Sequence, residues 1–293
     1  MDRTEALLAL NAQKEEDRLA ALRDCVAGDV GGVASTPRTD EVNNHVHTRY
    51  SFSPYSPSAA VWAARCAGLS VVGSVDHDSI SAAAEMQAAG AIAGIGVTVG
   101  AELRVSFGET AFAARRLNNP DTLGNAYIVL HGVPRASWDR LAQALEPIHR
   151  AREARNREQL SRLNALLPPG IQELEYERDV RSLSWAERGG SVTERHLLLA
   201  LALSILGQAR GSSETIVELV EQGLGVPVSA TARQRIGAPD NPHLPYDLIG
   251  LLKVHLVPAF FVQPNPAECP PVREITALAA DLGAIPAYAY LGD

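Results

Sequence analysis

The sequence predicts an α/β body of parallel strands and short helices, interrupted by an all-helical insertion. Three observations predict it. Between residues 41 and 105, apolar strand-like runs alternate with Ala-rich helical segments. From Ser137 to about Gly225 the strand signals disappear and helical patterning takes over. After residue 245 the helix and strand signals alternate again. Such alternation at short spacing reads as parallel strands joined by helical crossovers.

Composition bounds what this body can be. The chain has 293 residues, 46% of them hydrophobic and 20% charged, which excludes collagen-like, coiled-coil and wholly disordered chains and suffices for a buried core. The 26 basic and 34 acidic residues leave a net charge of −8, which argues against attachment to nucleic acid by bulk charge. No apolar run reaches the roughly 18 residues of a membrane span. The start, Met1-Asp2-Arg3-Thr4-Glu5, lacks a signal-peptide layout, so a cytoplasmic protein with no membrane partner is expected. Cys25, Cys66 and Cys269 are too scattered for a disulfide framework or a metal knuckle and are expected as reduced thiols.

The elements follow in order. Residues 3–24 place Leu7, Leu8, Leu19 and Leu22 among charged residues, an amphipathic helix that Gly28 and the Gly31-Gly32 pair end. Glu41 to Thr48 is the first strand, followed by a Ser/Pro/Tyr loop to Pro57. A helix over 58–68 stops at Gly68; a strand follows from Leu69 to Val75, a helix over 79–93 and a strand from Gly96 to Val105. Residues 109–115 suggest a short hairpin strand, Asn118-Asn119-Pro120-Asp121 a turn, and Ala126 to His131 a fourth apolar strand. The insertion reads as helices over 137–166, 173–187, 193–208 and 212–223, then a loop-rich stretch over 226–245. Residues 246–254 read as helix, 256–262 as strand, 271–282 as helix and 285–291 as strand. The domain reading is an N-terminal helical extension (1–37), a first part of the α/β body (38–135), the helical insertion (136–245) and a continuation of the body (246–293).

Ionisable residues gather at strand ends. His45-Val46-His47 places two imidazoles on one face of a strand, about 6.5–7 Å apart, close enough to approach one ion; a pair of surface histidines is the alternative. Asp76-His77-Asp78 lies where the second strand stops, the edge at which parallel α/β folds collect catalytic groups. Asp76 or Asp78 could orient His77 through its second ring nitrogen, and Asp78 is also placed to cap a helix starting at Ser79. Glu102 lies within a predicted buried strand, which is costly unless the carboxylate is paired or binds metal. A partner at Arg104 would not remove that cost. His131 ends the fourth strand. Four strands carrying His, His, Glu and His at their edges point to one metal centre, and a His/carboxylate set without Cys suits Zn, Mn or Fe. Elsewhere, His149 lies in a run of Arg and Glu expected to form a solvated helix face. His243, His255, Trp62, Trp138 and Trp185 read as structural.

These motifs, in this order, resemble the polymerase and histidinol phosphatase (PHP) family, which opens with a strand ending His-x-His. In that family there follow a strand ending Asp-His, a strand with a metal-bridging Glu and a strand ending His. The resemblance covers about residues 40 to 293 and is to the stand-alone phosphoesterases with a helical insertion after the fourth strand; Glu194-Arg195-His196 matches their Arg-rich turn ending in His. It implies a distorted seven-stranded β/α barrel with two or three divalent ions (Zn, Mn or Fe) at its C-terminal rim. His45, His47 and Glu102 would hold one ion, His77 a neighbouring one, and Glu102, His131 and His196 another. The implied chemistry is hydrolysis of a phosphomonoester or phosphodiester, nucleotide-like substrates included, by a metal-bound hydroxide. His77, Asp76 and Arg195 are the implied catalytic residues, with Arg104 and Arg195 contacting the phosphate of a small substrate.

Two departures stand out. Family members often carry an Asp-Gly shortly after His-x-His, where this chain reads Arg49-Tyr50-Ser51-Phe52-Ser53-Pro54. They also end in a strand with Asp-x-His, whereas this chain reads Tyr288-Ala289-Tyr290-Leu291-Gly292-Asp293, so a C-terminally incomplete barrel is expected. These departures keep a catalytically impaired metal-binding module as one alternative. An amidohydrolase-like hydrolase is another, because amidohydrolases also begin with His-x-His. They add a bridging Lys, and Lys253, the candidate, lies in a predicted helix.

Overall fold

The computed structural model describes residues 1–119, 122–239 and 241–290. Two compact units divide the chain: residues 1–151, 185–191 and 265–293 form the first, and residues 152–184 and 192–264 the second.

The first unit opens with two helices rather than one, α1 (Arg3–Leu10) and α2 (Glu15–Ala27). Asp2 caps α1 by accepting from the Thr4 and Glu5 backbone N–H groups. Then come β1 (Val42–Val46), α3 (Pro57–Cys66), β2 (Val71–His77), α4 (Ala83–Ala93), β3 (Gly96–Ser106) and β4 (Asn125–His131). Helix α3 has Pro57 in its first turn and the Ser56 hydroxyl accepting from Ala59 N–H, a start matched to its sequence. The unit ends with α10 (Val272–Leu282) and β5 (Ile285–Tyr288). Leu291, the last residue of the expected final strand, lies outside the described residues, as do Pro120 and Asp121 of the expected turn.

The five strands form one sheet in the order β1-β2-β3-β4-β5, so the described residues hold five strands and not the expected seven. β1, β2 and β3 run parallel, as expected for strands joined through α3 and α4. β4 and β5 pair antiparallel. The reason lies in residues 107–119 and 122–124, which form turns in place of the expected hairpin strand and supply no crossover helix; without one, a following strand returns antiparallel. Helices α3 and α4 pack on β2 and β3, α2 packs on α4, and α10 packs on β3 and β5. Strand alternation then divides β3. Val97, Val99, Ala101, Leu103 and Val105 join the core with Ile128 and Leu130, leaving Glu102 and Arg104 to the other face.

The N-terminal helices belong to this core. Ala6, Leu10, Leu22 and Cys25 are fully buried in it. Arg18 Nε donates to Glu85 Oε1 at 2.8 Å, and its guanidinium lies 4.5 Å from the Trp185 ring centroid.

Helix α5 (Trp138–Asn164) runs from the first unit into the second. The second unit continues with α6 (Glu194–Ala209), α7 (Ser213–Glu218), α8 (Ala230–Ile236) and α9 (Leu244–Phe260). Residues 173–187 are short turns of tighter and wider helix rather than one α-helix, and α8 occupies part of the stretch expected as loop. Residues 256–260 of the expected strand over 256–262 are instead the C-terminal end of α9. Its buried residues Leu248, Ile249, Leu252, Leu256 and Phe260 recur at helical spacing, so the apolar run is one helix face. On α5, Arg157–Glu153 and Arg162–Glu158 are exposed i,i+4 pairs, but Arg152 and Arg155 are buried, so that face is only partly solvated.

Candidate metal centre

Glu102 is the hub. Its register partner on β2 is His77, so both side chains leave the sheet on the same face, away from the α3/α4 layer. His77 Nδ1 lies 3.0 Å from Glu102 Oε2. From the end of β1, His45 Nε2 lies 3.3 Å from Oε1 and His47 Nε2 lies 3.7 Å from Oε2. The His47 and His77 rings stack with centroids 4.6 Å apart, and the His45 and His47 rings meet edge to face at 5.2 Å. The β1–β2 register is shifted between Asn43 and Val46, the stretch of β1 that carries His45.

The donor set fits a divalent cation. One donor atom each from His45, His47 and Glu102 can be chosen so that all lie within 4.8 Å of one another. Donors each about 2.0–2.2 Å from one tetrahedral ion lie about 3.3–3.6 Å apart; His45 lies 3.3 Å from one Glu102 oxygen and His47 3.7 Å from the other, so the two imidazoles flank the carboxylate at comparable range. Glu102 is only 5% exposed, a poor place for a carboxylate without positive partners. Burial alone would push its carboxyl up. Hydrogen bonds from His45 and His77, with the charges of His77 and His47, outweigh burial and hold it well below the usual carboxylate range. The His45 imidazole is pushed up by its hydrogen bond to Glu102, against the opposing effect of burial.

His131 is directed to the same face. It stands one register step beyond the Leu130–Ala101 pair, opposite Gly100. Burial, then the nearby His45 charge, holds its pKa below the usual histidine range, which keeps the ring neutral with a lone pair to offer.

Other expected residues sit elsewhere. Asp76 was expected to serve His77, but neighbours along a strand point to opposite faces, and Asp76 is the register partner of the core residue Ala101. Its carboxylate is 1% exposed and bonds to Thr48 and Ser51, in the loop after β1. Burial pushes its carboxyl up, against those hydrogen bonds. Asp78 does not cap a helix: α4 begins later, with Ala82 in the cap position, and Asp78 adopts a left-handed conformation with φ 51°. Its carbonyl meets His149 Nε2.

Arg104, expected to contact phosphate, is 1% exposed; its guanidinium bonds Glu268 Oε1 at 3.1 Å and the Tyr127 hydroxyl at 2.8 Å. Burial in a structural ion pair takes it out of reach of a solvent-borne anion. Arg195 and His196 belong to the second unit, at the start of α6. Arg195 is exposed. His196 is buried, and its Nδ1 accepts from the Thr193 backbone N–H at 3.0 Å, closing a capping box.

Thr48, Ser51, Tyr127 and Glu268 also stand at or beside the site residues. Thr48 and Ser51 carried a usable signal, two hydroxyls one and four residues after His-x-His. Tyr127 alternates with Val129 and His131 on one face of β4, and its ring centroid lies 5.5 Å from that of His77. Glu268 gave none, because its partner is 164 residues away.

No family model and no curated protein matches the sequence. Solved structures do resemble it in fold. One, from Bifidobacterium adolescentis and assigned as a metal-dependent phosphoesterase, has a TM-score of 0.56 and 16% identity over 88% of this chain and 69% of its own. Another, an amidohydrolase from Chromobacterium violaceum with bound sulfate and no metal, has a TM-score of 0.51 and 19% identity over 86% of this chain and 67% of its own. At these identities the likeness establishes a shared α/β architecture.

Proposed function

We propose that this chain is a metal-dependent hydrolase of phosphoric esters, with the PHP-like set His45, His47, His77, Glu102 and His131 as its metal centre. The observation that carries the reading is the convergence of three imidazoles on the single buried carboxylate of Glu102. His45, His47 and Glu102 would hold one divalent cation, and His77 and His131 would extend the centre toward a second. When bound, a divalent ion would lower the pKa of a coordinated water and neutralise charge developing on phosphate oxygens. The residues themselves hold Glu102 ionised, keep His131 neutral and present ring nitrogens on one sheet face.

The solved phosphoesterase and amidohydrolase folds allow hydrolysis of a C–N bond as a second reading. The bridging Lys of that chemistry has no counterpart on the sheet. The two lysines of the chain are Lys14, at the start of α2, and Lys253, within α9.

The test is turnover by purified protein supplied with Mn²⁺ or Zn²⁺, using an aryl phosphate, a nucleotide panel and matching aryl amides. Phosphate release that His47→Ala abolishes supports the reading. Amide turnover without phosphate release moves the assignment to the second reading. Bound metal with no turnover of either class overturns the enzymatic assignment in favour of a metal-binding module.

A further inference from the structure

The carboxylate of Asp76 is buried on the core side of the sheet, yet through Ser51 it reaches His47 on the other side. Its Oδ1 accepts from the Thr48 backbone N–H at 2.6 Å and from the Ser51 hydroxyl at 2.6 Å. Its Oδ2 accepts from the Thr48 hydroxyl at 2.7 Å. The loop is closed on itself as well: Ser51 N–H donates to Thr48 O at 3.0 Å, and Tyr50 N–H donates to Thr48 Oγ1 at 3.2 Å. Ser51 Oγ then lies 3.4 Å from Nδ1 of His47.

Counting protons decides the direction of that last contact. A serine hydroxyl has one proton to give and lone pairs to receive with. Ser51 gives its proton to Asp76, in the shorter bond. Toward His47 it can only accept, so a hydrogen bond across this 3.4 Å contact requires the hydrogen on Nδ1. A neutral imidazole protonated at Nδ1 keeps its lone pair on Nε2. Nε2 is the His47 atom that faces Glu102, at 3.7 Å, the longest of the three imidazole–carboxylate separations.

We propose that Asp76 is a positioning residue that acts through Ser51: it fixes His47 in the Nδ1–H tautomer and turns the Nε2 lone pair toward the metal centre. The inference rests on the metal-binding part of the proposed function and is independent of the bond hydrolysed. It assigns the two sides of Asp76 different tasks. Thr48 ties down the loop, whereas Ser51 alone touches an imidazole. Groups that hold the distal nitrogen of a metal-binding histidine are worth about 10- to 100-fold in metal affinity.

The experiment uses the full chain. Long-range ¹H–¹⁵N spectra of the metal-free protein, above pH 7.5, report the tautomer of each histidine, with the His47 signals identified by their loss in His47→Gln. Calorimetric titration with Zn²⁺ or Mn²⁺ reports affinity. Wild-type His47 is expected in the Nδ1–H form. Ser51→Ala is expected to give a mixture of tautomers and about 10- to 100-fold weaker metal binding. Ser51→Thr, which keeps the hydroxyl, is expected to restore both, a rescue that loop packing alone does not produce. An Nε2–H tautomer in the wild type overturns the proposal without any variant. So does a Ser51→Ala protein with unchanged tautomer and affinity. Should the wild type bind no metal, the metal reading fails on the titration, while the tautomer readout still decides whether Ser51 sets the ring.

Discussion

His77 Nδ1 lies 3.0 Å from Glu102 Oε2, while the other oxygen of the same carboxylate faces His45 Nε2 at 3.3 Å. One buried carboxylate on β3 thus meets side chains of both β2 and β1. Replacing Glu102 by Gln removes the anion and keeps the shape. Groups one step removed from a metal are worth about 10- to 100-fold in affinity, so loss of this carboxylate is expected to cost more than ~100-fold. Titration of wild type and Glu102→Gln with Zn²⁺ checks it. Equal affinities would remove Glu102 from the centre.

Gly100 is the point at which β4 presses on β3. A Cβ there would lie 2.0 Å from the Leu130 carbonyl oxygen, an impossible contact against backbone that cannot step aside. Gly100→Ala is therefore expected to push β4 outward, carrying His131 with it, and to destabilise the protein by ~1–3 kcal/mol or more. Gly207, inside α6 with open space where a Cβ would go, is the control. Gly207→Ala is expected to be neutral or stabilising by up to ~1 kcal/mol. Thermal unfolding of the two variants measures the contrast, and a Gly100→Ala protein as stable as wild type contradicts the packing argument.

Strand ends and ligand types were legible because they are local properties. Apolar runs located β2 and β3, and His45, His47, His77 and Glu102 announced themselves by being ionisable where the runs stop or should be dry. What was not legible depends on distant partners or on ambiguous patterns. The direction of β4 turns on residues 107–119 and 122–124 forming turns rather than a crossover helix. The apolar run at 256–262 suits a strand or a buried helix face, and packing of α9 chose the helix. Asp76 could not be separated from His77 without knowing which face each takes. Arg104 looked like an anion contact until Glu268 stood beside it.

The Arg104–Glu268 pair is almost wholly enclosed, with exposures of 1% and 0%. Charges buried in this way are costly to leave alone, so truncating one partner is expected to cost ~3–5 kcal/mol. Replacing both, as Arg104→Met with Glu268→Leu, is expected to recover most of that loss. Denaturant unfolding of the two single variants and the double variant forms the cycle. A phosphate-contacting Arg104 predicts another pattern, a rise in KM with unchanged stability, and that result would falsify the structural assignment.

Tyr176 supplies a pH test away from the metal centre. It is 6% exposed, and the Arg157 guanidinium lies 4.2 Å from its ring centroid. Burial, then the charge of Glu153, pushes its phenol up to about 12. An unfolded tyrosine titrates near ~10, so the unfolded state releases this proton first as pH rises. The stabilisation is therefore fully present below pH ~10 and is lost as pH climbs through ~12. Two units correspond to at most ~3 kcal/mol. Wild-type stability is expected to fall across pH 10 to 11.5 more steeply than that of Tyr176→Phe. Difference absorbance at 295 nm between the two proteins reports the phenol directly, and ionisation near pH 10 in the folded protein would show that Tyr176 is not held neutral.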